Sequence, residues 1–156
     1  MRRGVDTNVL VYAHMPESPH HAAVRSFLLD QLSREEVALV ITPAILHELV
    51  HVVTDGRRFD PPVSMTDALA MARIYLEHAN VECISLDAPA VAGAFELIER
   101  HRLGRKRIVD TLFLFAACLL GHGVRELITC NPIDFQIFDG LTLIDPRDAA
   151  SILTMP

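Results

Sequence analysis

Val5-Asp6-Thr7-Asn8-Val9-Leu10-Val11-Tyr12-Ala13 sets three polar residues inside the first apolar run of the chain. The apolar and β-branched residues from Val5 to Tyr12 predict a short strand running into a turn, with Asp6-Thr7-Asn8 at the transition. Beyond it Pro16 and Pro19 break the chain, and apolar residues at Ala23, Phe27, Leu28 and Leu32 give His20–Leu32 a helical period. Val37–Ile41 is a second strand, and Thr42-Pro43 starts a helix with a hydroxyl cap and a proline in its first turn. That helix carries Ile45, Leu46, Leu49, Val50 and Val53, with Gly56 to end it.

The alternation continues to the C-terminus. Ser64 or Thr66 caps a helix that ends near Ala79, and Val81–Leu86 reads as the third strand. Asp87 caps a helix through about Arg102, and Gly104-Arg105-Lys106-Arg107 forms a basic turn. Ile108–Leu120 is a strongly apolar helix closed by Gly121 and Gly123. Glu126–Cys130 and Leu141–Ile144 supply the last strands. Strands that alternate with helices and are apolar on both faces predict an α/β fold with a mainly parallel sheet between helix layers.

The chain of 156 residues, 51% hydrophobic, is long enough to bury a core of its own, and no Pro/Gly/Ser-rich linker divides it. One domain over residues 1–156 is the expectation. Its net charge of −6 counts against a protein that coats nucleic acid through a basic surface. A nuclease remains open, because bound cations offset acids in a site and local arginines can grip phosphates. Cys83, Cys118 and Cys130 form no CxxC pair and sit in apolar stretches, which predicts three buried free thiols in a reducing compartment. MRRGVDTNVLVYA meets Asp6 before any long apolar stretch, unlike a secretory signal. The run Leu112–Leu120 falls far short of the roughly 20 residues a membrane span needs. A soluble, cytoplasmic protein is expected.

Four carboxylates carry the chemistry. Asp6 ends the first strand, Asp134 follows the fourth, Asp110 opens a helix and Glu48 lies in the second turn of its own. In an open parallel sheet, ligands bind in the crevice at the carboxyl ends of the strands. Acids converging there repel one another unless a hard cation such as Mg²⁺ or Mn²⁺ holds them. Such ions activate water and stabilise the leaving oxygen of a phosphodiester. Each acid also has a plainer reading: Asp6 as a turn cap, Asp110 as a first-turn helix acid, Glu48 as a solvated helix residue. Asp110 is the sharper case, since Ile108, Val109, Leu112, Phe113 and Phe115 surround it in sequence and a carboxylate among them needs a partner.

The same segments resemble PIN-domain ribonucleases, and among them the toxins of VapBC-type toxin–antitoxin pairs. VDTNVLVYA is similar to the family's DTN(V/I)L start, which carries its first metal-binding aspartate, here Asp6. TPAILHELVHVV resembles the segment with the family's glutamate, here Glu48, and IVDTLFLFAACLLGHGV the helix that begins with the third acid, here Asp110. LITCNPIDF resembles the T-x-N-x-x-D-F ending, with Thr129, Asn131, Asp134 and Phe135. The family often has an acid where this chain has Asn131, which leaves the fourth position between Asn131 and Asp134.

The resemblance implies a three-layer α/β/α domain and Mg²⁺-dependent (or Mn²⁺-dependent) endonucleolytic cleavage of RNA. Asp6 and Asp110 would be the metal ligands, and Glu48 and Asp134 would complete the shell or orient water. Thr7, Asn8 and Thr129 would orient carboxylates or water. Arg105 and Arg107, just before Asp110, are candidates for gripping RNA phosphates, though a solvated turn is the plainer reading. It also implies a VapB-like antitoxin as partner, a homodimer and no membrane association. Apolar ground for the antitoxin would come from the helices at His20–Leu32 and Ser64–Ala79.

Two other readings compete. His47-Glu48-Leu49-Val50-His51 is a literal HExxH, the zinc-protease signature in which two histidines bind Zn²⁺ and the glutamate is the base. Catalytic zinc needs a third protein ligand, and Thr54 and Arg57 stand where the extended motif has glycine and histidine. The protease reading also leaves DTN, Asp110 and T-x-N-x-x-D-F unexplained. The second competitor is a catalytically silent PIN-like module that uses the acidic crevice only for binding.

Overall fold

A computed structural model describes residues 1–101 and 111–148. The chain alternates strand and helix: β1 (Arg2–Val5), α1 (Thr7–His14), α2 (His21–Ser33), β2 (Ala38–Ile41), α3 (Pro43–Val53), α4 (Met65–Glu77), β3 (Val81–Cys83), α5 (Ala88–His101), α6 (Thr111–Gly121), β4 (Glu126–Ile128) and β5 (Thr142–Ile144). A short 3-10 turn, Pro132–Phe135, lies between β4 and β5.

The five strands form one sheet in the order β3-β2-β1-β4-β5. Every pairing is parallel, with Gly4 opposite Val40 and Leu127, Val40 opposite Glu82, and Leu127 opposite Leu143. Parallel strands need crossover connections, and these supply the helix layers. Helices α1 to α4 pack among themselves, and α5 packs along α6. The core contains Val5, Val9, Leu39, Ile41, Ile45, Leu49, Leu119, Leu127 and Ile128, all fully buried. Gly4 lets α6 lie close on β1, since a Cβ there would stand 2.5 Å from a Leu119 methyl. A Cβ on Gly121 would stand 2.9 Å from the Ala90 backbone, so that glycine sets the closeness of α6 and α5.

Several elements differ from the sequence expectation. The first strand is Arg2–Val5, and the run after it is a helix, Thr7–His14. Val9, Leu10, Val11 and Ala13 are all buried, so α1 shows too narrow a polar face for its period to be read. Arg2 and Arg3 disguise the strand. Arg2 bonds Glu82 at 2.7 and 2.9 Å, and Arg3 bonds Glu126 at 2.6 Å and also Gln31. Strands three and four stop at Cys83 and Ile128. Helix α3 ends at Val53, with Thr54 as its C-cap, before Gly56 is reached. Cys83 is exposed, contrary to expectation, because it sits on β3 at the sheet edge; Cys118 and Cys130 are buried free thiols.

The caps stand where the residue types place them. Thr42 accepts from the Ile45 amide, Ser64 from the Asp67 amide at 3.1 Å and Asp87 from the Ala90 amide at 3.0 Å. Among the described residues, no helix is long and apolar enough to cross a membrane.

Candidate active site

The strand order reverses between β1 and β4, so the switch point of this sheet lies where Val5 gives way to Asp6 and Ile128 to Thr129. Crevices at such points are the ligand sites of open parallel sheets. The Asp6 amide donates to the Ile128 carbonyl at 3.0 Å, which extends the ladder by one residue and sets Asp6 at the carboxyl end of β1.

Asp6 is 3% exposed. Its Oδ2 accepts the Thr129 hydroxyl at 2.7 Å and the Asn8 amide at 2.6 Å. Asn8 works from both ends, since its Oδ1 accepts the Cys130 backbone amide at 3.0 Å. That pair of bonds ties the first turn of α1 to the end of β4. Burial pushes the Asp6 carboxyl up to about 6, against the pull of the Thr129 hydroxyl, and the Glu48 charge raises it further. Glu48 is half-buried on α3 and accepts the Thr7 hydroxyl at 2.7 Å. Thr7, Asn8 and Thr129 each donate a hydrogen bond to one of these two carboxylates.

The remaining predicted residues fall at different places. The Asn131 amide donates to Thr129 Oγ1 at 3.0 Å, and Asn131 Nδ2 donates to Asp134. Asn131 and Asp134 are both exposed. A run of hydrogen bonds thus leads from Asp6 through Thr129 to Asn131 and Asp134, at the rim of the crevice. Asp110, Arg105 and Arg107 lie outside the described residues. Among the described residues, no three His, Cys, Asp or Glu side chains gather as a metal group.

Asp145 and Arg147, which the sequence offers no motif to single out, also sit at this edge. The Thr129 amide donates to the Ile144 carbonyl at 3.0 Å, so Asp145 follows β5 alongside Thr129. Arg147 folds back onto the Asp145 carboxylate and holds it below the usual carboxylate range. The only hint in the sequence is Asp145-Pro146-Arg147, a turn composition directly after a strand.

The HExxH reading finds no support in the geometry. His47 and His51 are exposed, while Glu48 turns inward to Thr7. No third ligand joins the two histidines among the described residues.

An all-parallel five-stranded sheet with a buried carboxylate, Asp6, at its switch point defines an α/β protein. The PIN domain family model matches residues 5–139, and the chain belongs to that family. It is similar to Ribonuclease VapC24 of Mycobacterium tuberculosis, with 27% identity over 142 residues that cover 91% of this chain and 94% of the relative. Its fold matches VapBC2 from Rickettsia felis, solved bound to a DNA fragment from their promoter. The TM-score is 0.66 at 20% identity, covering 92% of this chain and 98% of that one. VapBC-1 from nontypeable Haemophilus influenzae matches with a TM-score of 0.65 at 15% identity, covering 94% and 98%.

Proposed function

We propose that this chain is a cytoplasmic, metal-dependent endoribonuclease and the toxin of a type II toxin–antitoxin pair. The observation that carries the proposal is Asp6, a buried carboxylate at the switch point whose ionisation is opposed by burial and by Glu48. A carboxylate in that position calls for a cation, and an oxygen-donor set suits Mg²⁺ or Mn²⁺. Asp6 and Asp110 are the proposed metal ligands, with Glu48 completing the set and Asp134 or Asn131 the fourth position.

When bound, such an ion lowers the pKa of a water and stabilises the departing oxygen of a phosphodiester. The chain's own residues prepare the site. Thr129 and Asn8 fix one oxygen of Asp6, and Thr7 fixes one oxygen of Glu48. The Thr7 and Asn8 backbone amides also hold the Asp6 carboxyl. Asp134, held by Asn131 and exposed, would orient water. Arg105 and Arg107 are proposed to hold flanking phosphates.

The similarity to Ribonuclease VapC24 supports ribonuclease activity, and the fold shared with two VapBC structures supports an antitoxin partner. Apolar ground for that partner is present. Leu29 on α2 and Met65, Leu69, Ile74 and Leu76 on α4 are all at least 40% exposed. An antitoxin arginine entering the acidic crevice would form paired charge-assisted hydrogen bonds with these carboxylates. The chain itself is proposed to dimerise. Incubation of the purified chain with RNA in Mg²⁺, Mn²⁺, Zn²⁺ or chelator tests the reading. Cleavage in Mg²⁺ or Mn²⁺ that chelator abolishes is expected, and cleavage unaffected by chelator would overturn the metal assignment.

A further inference from the structure

The His-x-x-x-His half of the HExxH motif remains once Glu48 is assigned to the acidic site. His47 and His51 stand four residues apart on α3, a regular helix fixed at its start by Thr42 and Pro43. Both side chains are exposed, and neither ring has a hydrogen-bond partner among the described residues. Residues at this spacing share one helix face, with Cβ atoms about 5–6 Å apart. Two imidazoles so placed can bind one ion between them, which is the mechanical basis of the His-x-x-x-His arrangement. Imidazole nitrogen suits Zn²⁺, Ni²⁺ and Cu²⁺, whereas carboxylate and water suit Mg²⁺. The imidazoles and the carboxylate of α3 therefore sort by metal type.

We propose that His47 and His51 form a two-imidazole chelate for a divalent transition ion (Zn²⁺, Ni²⁺ or Cu²⁺) on the exposed face of α3. No third His, Cys, Asp or Glu joins them among the described residues, so water completes the coordination and the ion exchanges freely. The geometry does not suit a peptidase, because Glu48 is held by the Thr7 hydroxyl at 2.7 Å and no third protein ligand joins the histidines among the described residues. Its neighbourhood gives it a consequence. An ion on this face lies within one helical turn of Glu48 and brings two positive charges near that carboxylate. The inference stands apart from the nuclease reading, since it rests on the helix and its two exposed rings alone.

Ni²⁺ binding to the untagged full-length chain, followed by calorimetry and by retention on immobilised Ni²⁺, is the test. One ion per chain that depends on His47 and His51 is expected, apart from any Ni²⁺ taken up by the acidic site. His47→Ala and His51→Ala should each weaken binding about tenfold or more, because the second imidazole of a chelate binds intramolecularly. The double variant should be little weaker than either single one. Asp6→Asn should keep the ion that depends on His47 and His51, and His20→Ala should bind as wild type, which separates this site from the acids and from the other adjacent histidines. Both α3 positions are exposed, and circular dichroism would check that the variants keep the fold. Absence of Ni²⁺ binding by the wild-type chain would overturn the proposal. So would a His47→Ala, His51→Ala double variant that binds as tightly as wild type, which would place the ion elsewhere.

Discussion

Polar groups wholly or partly withdrawn from water stand at both ends of helix α1, yet burial has opposite consequences at each. At the C-terminal end, His14 Nε2 meets the Tyr75 hydroxyl at 2.8 Å, with the rings edge to face at 5.8 Å and 89°. His21 Nδ1 bonds the Tyr12 carbonyl at 2.7 Å beside them. Burial lowers the His14 pKa, with Arg25 and His21 adding to it, and raises that of Tyr75. Both groups are thus driven to their neutral forms, and the pair is complete without a counter-ion. At the N-terminal end, Asp6 is pushed only to about 6, so near neutral pH it is a buried anion with Glu48 at hand. One end is finished by the chain itself, and the other is the one where a cation is proposed.

The largest effect expected from breaking this contrast is on activity. Asp6→Asn should lower RNA cleavage by roughly a thousandfold or more, the scale of losing a group that acts directly on transition-state charge. Asp110→Asn should do the same. Tyr75→Phe, at the other end of the same helix, should leave the cleavage rate within about twofold, because it only loses one structural hydrogen bond. A gel assay on a defined RNA compares all three.

The next effect is on stability against pH in the metal-free chain. The folded pKa of Asp6, about 6, lies above its ordinary value of 3.8. The stabilisation tied to its protonated form is therefore complete below pH 4 and is lost as pH rises through 6. The difference of about two pKa units corresponds to about 3 kcal/mol. His14 slopes the other way. Its lowered pKa gives stability that is present above the unfolded value and is lost as pH falls below it. Chemical denaturation of the apo chain from pH 4 to 8 should show the Asp6 contribution, and Asp6→Asn should remove it.

Smaller effects sharpen the picture further. Thr129→Val removes the buried hydroxyl that donates to Asp6 at 2.7 Å, and should cost about 1–3 kcal/mol while raising the Asp6 pKa. Tyr75→Phe should cost about 1 kcal/mol, with no change in the Asp6 titration. Urea midpoints and carboxyl NMR shifts measure both. His47→Ala and His51→Ala should leave Mg²⁺-dependent cleavage near wild type, since only Glu48 is needed from that helix.

Much of this architecture is legible in residue types that act locally. Thr42-Pro43, Ser64 and Asp87 cap helices as such residues do anywhere, and Val37–Ile41 reads as a strand from its β-branched run. The first strand is hidden because its polar residues, Arg2 and Arg3, find partners on distant elements: Glu82, Glu126 and Gln31. Helix α1 is misread because its apolar residues face buried surroundings on nearly every side. The site follows the same division. Asp6, Thr7, Asn8 and Thr129 carry a recognisable pattern. That Asp6 meets Thr129, 123 positions away, depends on strand order, which no local pattern encodes. Asp145 and Arg147 reach the same edge only through β5 and pass unnoticed in sequence.

The central claim is that Asp6 seats a cation, and Mg²⁺-dependent thermal unfolding at pH 8 tests it most directly. A ligand that binds only the folded state at about 100 times its Kd adds about 2.7 kcal/mol. The wild-type melting temperature should therefore climb steadily with Mg²⁺. Asp6→Asn should start higher without metal and stay flat as Mg²⁺ is added. Equal Mg²⁺-dependent shifts in the two proteins would contradict the claim.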